Sequence, residues 1–161
     1  MYKFRNKKLY IQLICSLFIF CYSSKANVIQ DHNHAIWCLP EKTCIKLEVA
    51  NTVNKQKIGL MFRKELKKNN GMIFVFSPKQ KVKFWMKNTY IPLDMIFIKN
   101  KRILDIINNA QPCKQKKCPL YGPDFLVDSV IEIYSGEANR LNLKEGDLID
   151  IIYMPKEETI N

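Results

Sequence analysis

Histidine is almost missing from this chain: His32 and His34 are the only two in 161 residues. A Ser–His–Asp or Cys–His arrangement would have to take its base from Asp31-His32-Asn33-His34, which reads as a mobile, solvated stretch. Glycine is scarce too, at five residues. No G-x-S-x-G elbow, H-E-x-x-H helix or phosphate-cradling glycine loop is present. With 47% hydrophobic and 11% aromatic residues, the composition excludes a collagenous, disordered or repeat-array protein. The longest apolar stretch, Leu9–Tyr22, falls short of the ~20 residues that cross hydrocarbon, and Gln12 and Ser16 interrupt it. One compact domain is expected at this length.

Acidic residues are absent from the first 26 positions, which carry Lys3, Arg5, Lys7, Lys8 and Lys25. The whole chain has 26 Lys+Arg against 15 Asp+Glu, formally +11. Without those five, 21 basic residues face 15 acidic ones, net +6. That is a moderately basic surface, not a nucleic-acid footprint. The basic start, the apolar run and Ser24-Lys25-Ala26 together form the pattern of a secretory signal peptide over residues 1–26. Export to a periplasmic or extracellular space is therefore expected, with no stable membrane span after cleavage. If cleavage fails, the same run becomes an anchor. Cys21 follows Phe20 rather than a small residue, which argues against lipidation.

Export sets the meaning of the cysteines. Cys15 and Cys21 leave with the leader, and Cys38, Cys44, Cys113 and Cys118 remain. An even count in an oxidising compartment reads as two disulfides. Three connectivities are possible, and the short spacings favour Cys38–Cys44 and Cys113–Cys118. A four-thiolate zinc site is disfavoured because C-x5-C and C-x4-C lack the usual C-x2-C knuckle.

Residues 27–43 read as an N-terminal tail, 44–154 as the domain and 155–161 as a C-terminal tail. Ile45, Leu47 and Val49 alternate with Lys46 and Glu48, the period of a half-buried strand. Thr52 is placed to cap a helix over Val53–Leu60 with Ile58 and Leu60 turned inward. Met72–Phe76, Val82–Lys87, Leu93–Lys99, Arg102–Ile107, Val127–Tyr134 and Leu148–Tyr153 read as further strands, with Asn100-Lys101 a tight hairpin and Asn108–Asp124 a long loop. Gly136–Leu143 is a short helical or turn segment. The expected fold is mainly β, a single sandwich or barrel-like domain with one or two short helices.

Several segments are more specific than that. They are Gly59-Leu60-Met61-Phe62-Arg63, Gly71-Met72-Ile73-Phe74-Val75-Phe76, Phe84-Trp85-Met86-Lys87-Asn88-Thr89 and Ile91-Pro92-Leu93-Asp94-Met95-Ile96-Phe97-Ile98. With Ala110-x-Pro112-Cys113 and Gly146-Asp147 in order, residues from about Ile45 to Tyr153 resemble the family called domain of unknown function 192. The resemblance implies a compact sandwich- or barrel-like domain, often exported, and no established reaction.

Strand alternation puts Phe84 and Met86 on one face, and Trp85 and Lys87 on the other. Trp85 offers an apolar platform, Lys87 and Arg63 offer donors, and Asn88 both donates and accepts. Asp94 is placed to orient one of them, or to hold a backbone amide. These five are the candidate ligand-binding residues of a non-catalytic module. The expected partner is a small ligand, an envelope glycan or a protein, with no cofactor and no nucleic acid. The alternative is a soft Cu(I) site built from Met61, Met72 and Met86, set against the ordinary use of Met as core filler. Asp94, Asp105, Glu132 and Asp147 are carboxylates for which sequence supplies no acid/base partner.

Overall fold

The computed structural model describes residues 32–155. The expected leader over 1–26, with Cys15 and Cys21, lies outside the described residues, as does the C-terminal tail after Pro155. Nine strands run in order: β1 His34–Cys38, β2 Cys44–Ala50, β3 Asn70–Gln80, β4 Phe84–Trp85, β5 Leu93–Lys99, β6 Arg102–Ala110, β7 Leu120–Tyr121, β8 Val127–Tyr134 and β9 Ile151–Met154. Two short helices, α1 Val53–Ile58 and α2 Glu137–Arg140, complete the described residues. The domain is mainly β, as its alternating patterns require.

Seven strands form one sheet in the order β6-β5-β8-β3-β2-β1-β9, and β4 pairs with β7 in a separate ribbon. Within the large sheet only β2 and β3 run parallel, joined across α1. The sheet ends approach each other. Residues just before β9 bond to the start of β6, through Ile103 N–H to Asp147 O at 3.0 Å, Gly146 N–H to Ile103 O at 2.8 Å and Ile149 N–H to Lys101 O at 2.8 Å. That closure gives a barrel-like inner core of Trp37, Ile45, Leu47, Ile73, Ile96, Ile131, Ile133 and their neighbours.

A second core lies on the outer face of the central strands. Met72, Phe74, Met95, Phe97 and Val130 pack there against Leu60, Val82, Met86 and Ile91. Strands β3, β8 and β5 are thus buried on both faces, which is why they read as nearly unbroken apolar runs.

The tail assigned to residues 27–43 is corrected over its described part, residues 32–43. β1 pairs with β2 from His34↔Glu48 to Cys38↔Cys44 and with β9 on its other side. Ala35 and Trp37 face the inner core while His34 is exposed; the polar Asp-His-Asn-His run hides a short alternation directly after it. The long loop also shrinks, since β6 reaches Ala110 and Leu120–Tyr121 pair with β4. Thr52 caps α1 as expected, its side-chain oxygen accepting from Lys55 N–H at 3.3 Å. Ile58 instead points outward, because the chain turns sharply at Gly59, where φ is +50°, and only Leu60 enters the core. Both favoured disulfides are formed, Cys38–Cys44 and Cys113–Cys118.

Asp94 lies fully inside, 0% exposed. Its carboxylate accepts from Asn109 N–H at 2.8 Å and from Ala138 N–H at 2.9 Å, tying β5 to β6 and to α2. A buried carboxylate satisfied by two amides is a structural clamp. We expect Asp94→Ala to cost about 3 kcal/mol by leaving both amides unsatisfied. Urea unfolding checks this; a loss below about 1 kcal/mol would show that the clamp carries little.

Candidate functional site

The Phe84–Thr89 motif folds around its own alternation. Phe84 and Tyr121 are cross-strand partners, as are Trp85 and Leu120. Phe84 turns inward, its ring edge-on to Phe74 at 4.9 Å and to Phe97 at 6.1 Å. Met86 follows it into the core at 1% exposure, while Trp85 stands outward at 49%. Lys87 Nζ lies 5.5 Å from the Trp85 ring centroid, a cation–π contact. Asn88 adopts the left-handed conformation, φ 60°, which Asn tolerates better than most residues. Its carbonyl accepts from Phe62 N–H at 2.7 Å, so the Gly59–Arg63 turn is fastened to this motif.

The five predicted residues do not form one cluster. Trp85, Lys87 and Asn88 are adjacent. Arg63 makes a two-pronged ion pair with Glu48, one prong being Nη2 to Oε2 at 2.7 Å. Those hydrogen bonds hold Glu48 below the ordinary carboxylate range and raise Arg63. Arg63 therefore does not bond Asp94. The clamp at Asp94 sits on the inner face with Ile133 and Ala138, across the sheet from Trp85. A strand separates its two faces by one residue, so the closeness of Asp94 to the motif in sequence is no guide to proximity.

What the motif does border is a cavity of about 290 Å³. The α1 end and its turn, Gln56–Met61, form one wall. Phe74 and Phe76 of β3, the Val82–Trp85 segment and Thr89 form the rest, and Glu132 of β8 opens into it. Gln56 donates its amide to Val75 O at 2.7 Å, holding α1 against the sheet. At Gly59 a side chain would begin 3.1 Å from the Phe74 ring, at a φ that disfavours any L-residue.

Glu132 is the residue that sequence reasoning did not single out. It is 5% exposed, and its strand neighbours on the two sides are Met72 and Met95. Among the described residues its carboxyl has no hydrogen bond and no ion pair, and its oxygens are not sealed from the cavity. Thr89, also 5% exposed, likewise has no side-chain partner among them. The available signal was a carboxylate inside the apolar run Val130-Ile131-Glu132-Ile133, where a solvated acid has no business. Of the copper candidates, Met61 lines the cavity, Met72 flanks Glu132, and Met86 is closed into the core below. No three of His, Cys, Asp and Glu converge on one point among the described residues.

The model of domain of unknown function 192 (DUF192, "Uncharacterized ACR") matches residues 37–151, which span both disulfides and the whole cavity. The chain belongs to this family. Two solved structures resemble this DUF192 domain. A protein of unknown function from Novosphingobium aromaticivorans DSM 12444 is 35% identical, with a TM-score of 0.65 over 73% of this chain and 83% of that one. A protein from Sinorhizobium meliloti 1021, proposed as a transcription regulator, is 29% identical, with a TM-score of 0.63 over 74% of this chain and 95% of that one. A search of the curated proteins found no match. No helix among the described residues is long and apolar enough to cross a membrane.

Burial pushes the Glu132 carboxyl up to about 8. The folded DUF192 domain therefore keeps this proton up to about pH 8, while the unfolded chain gives it up near 4.5. Between those values folding takes up a proton, so stability falls as pH rises, by at most about 1.4 kcal/mol per pH unit for one group, and levels off above. Glu132→Gln removes this slope. We expect the Gln variant to gain on wild type between pH 5 and pH 9 in urea unfolding; a pH-independent difference would show an ordinary carboxylate.

Proposed function

We propose that this DUF192 protein is an exported, non-catalytic binding module whose ligand enters the cavity beneath Trp85. The observation that carries the reading is the pair Glu132 and Thr89, two buried polar side chains without partners that face one aromatic-walled cavity. Their polar atoms open onto the cavity rather than being sealed inside the fold, so they are available to a ligand that enters it. A small concave site with apolar walls and a few convergent polar groups is the usual form of a ligand pocket. Lys57 and Lys83 are the other ionisable groups of its lining. Neither a nucleophile–base pair nor a second carboxyl stands beside Glu132 in it, which supports binding over bond-making chemistry. Export rests on the leader pattern and on the two disulfides, which persist outside a reducing cytosol.

The occupant is a small molecule or the end group of an envelope glycan or protein chain. The copper alternative keeps Met61 on the cavity wall and Met72 beside Glu132. It predicts Cu(I) affinity that Met61→Leu with Met72→Leu abolishes.

A thermal-shift panel of envelope glycan fragments, amines, carboxylates and Cu(I) tests the reading on wild type, Trp85→Ala, Lys87→Ala and Glu132→Gln. A ligand at a hundred times its Kd adds about 2.7 kcal/mol, several degrees in Tm. We expect most of that shift to vanish in Trp85→Ala and Glu132→Gln. A stabilising ligand whose effect survives all three substitutions would place the site elsewhere.

A further inference from the structure

We propose that the cavity beneath Trp85 receives a primary ammonium group carried on an apolar body, with Glu132 and Thr89 as its acceptors. This rests on the reading of the cavity as a ligand site and names what enters it. Both acceptors line the same cavity, both are 5% exposed, and neither has a partner among the described residues. A carboxyl and a hydroxyl together offer several lone pairs to a donor-only group, and an ammonium brings three N–H donors. The apolar part of the wall includes Leu60, Met61, Phe74, Phe76, Phe84 and Trp85. Aromatic rings present a negative face to a cation and an apolar surface to its carbon body. At roughly 30 Å³ per water, 290 Å³ holds about ten water volumes, room for a small aryl- or alkylammonium and little more.

Two cations border the cavity, Lys57 and Lys83. Lys83 is turned away, its Nζ bonded to Gly122 O at 2.6 Å and to Asp124 at 2.9 Å. Lys57 is exposed on α1. Gln56 spends its amide on Val75 O. An anionic head at the floor would find the Thr89 hydroxyl and the Glu132 proton as donors, where an ammonium finds three acceptor oxygens. A neutral alcohol has one O–H to offer where the ammonium has three N–H donors. A hard metal ion lacks the ligand set, since no three of His, Cys, Asp and Glu converge among the described residues.

The binding step has a defined proton balance. Burial keeps Glu132 protonated at neutral pH in the empty cavity. An entering R–NH₃⁺ supplies the countercharge, the Glu132 O–H bond breaks, and the proton passes to solvent. The product is the R–NH₃⁺ carboxylate pair plus one released H⁺. Charge and atoms balance without any co-reactant.

Titration calorimetry on the full chain at pH 7 with benzylammonium, benzyl alcohol and benzoate decides the matter. It is run in phosphate and in MOPS, which differ in ionisation enthalpy. Benzylammonium is expected to bind at least about tenfold more tightly than either analogue, since the bonds it makes involve a charged partner. Its apparent enthalpy should differ between the buffers by an amount matching close to one released proton. Glu132→Gln should lose about tenfold or more in affinity together with the proton release. Thr89→Val should lose a few-fold while keeping it. Trp85 emission reports occupancy independently of heat. If benzyl alcohol or benzoate shifts that emission and benzylammonium does not, the ammonium assignment is wrong while the cavity remains a ligand site. If none of the three binds, the cavity reading and this proposal fall together. Benzylammonium binding that Glu132→Gln leaves unchanged also overturns it.

Discussion

Burial of the three central strands on both faces is the constraint from which the rest of this structure follows. β3, β8 and β5 offer apolar side chains to the barrel interior and to the outside alike. The inner set is closed by curling of the sheet, which brings the approach to β9 onto the start of β6. The outer set needs a separate cover, because a seven-stranded sheet cannot fold back over its own outer face. α1 with its Gly59 turn and the β4–β7 ribbon supply that cover, and Phe84 and Met86 are the residues by which the ribbon is seated. Burial at roughly 25 cal/mol per Å² makes each such side chain worth about 1.5–3 kcal/mol, so the cover is energetically required.

The cover is incomplete where α1, the ribbon and β8 meet, and the gap is the cavity. Its chemistry is set by what the central strand presents there. On the outer face of the sheet the cross-strand row runs Glu48, Met72, Glu132, Met95, Ile107. Glu48 at the periphery is satisfied by Arg63. Glu132, two strands further in, lies among thioethers and rings and has no such cation. The same residue type thus takes opposite shifts in one row, lowered at Glu48 by hydrogen bonding to Arg63 and raised at Glu132 by burial.

Much of the architecture was legible from residue order. The alternation in Cys44–Ala50, the apolar runs at Met72–Phe76 and Leu93–Ile98, the Asn100-Lys101 hairpin and the Thr52 cap each follow from local rules, and each appears in the fold. Local rules failed where contacts at long range decided the outcome. β1 is a strand because β2 and β9 both pair with it, and its five residues carry too short a pattern to announce that. Ile58 obeys the helical period yet faces solvent, because the turn at Gly59 ends the helix before that period can matter. Tyr121 and Leu120 form a strand only through Phe84 and Trp85.

The candidate site divides in the same way. Sequence by itself determined which residues alternate, so Trp85 and Lys87 outward and Met86 inward were settled by the two-residue period of an extended chain. It also favoured the disulfide pairs, since spacings of five and six residues leave short loops that close cheaply, but left three connectivities open until the fold chose one. Only the tertiary structure decided what each polar side chain faces. Asp94, eight residues beyond Met86, is on the opposite side of the sheet holding amides, and Arg63 is spent on Glu48. Glu132, distant in sequence from every motif residue, lines the cavity beneath Trp85. The reason is physical: the face a side chain takes is local, but its partner is set by which strands lie side by side, and that ordering is a property of the packed sheet alone.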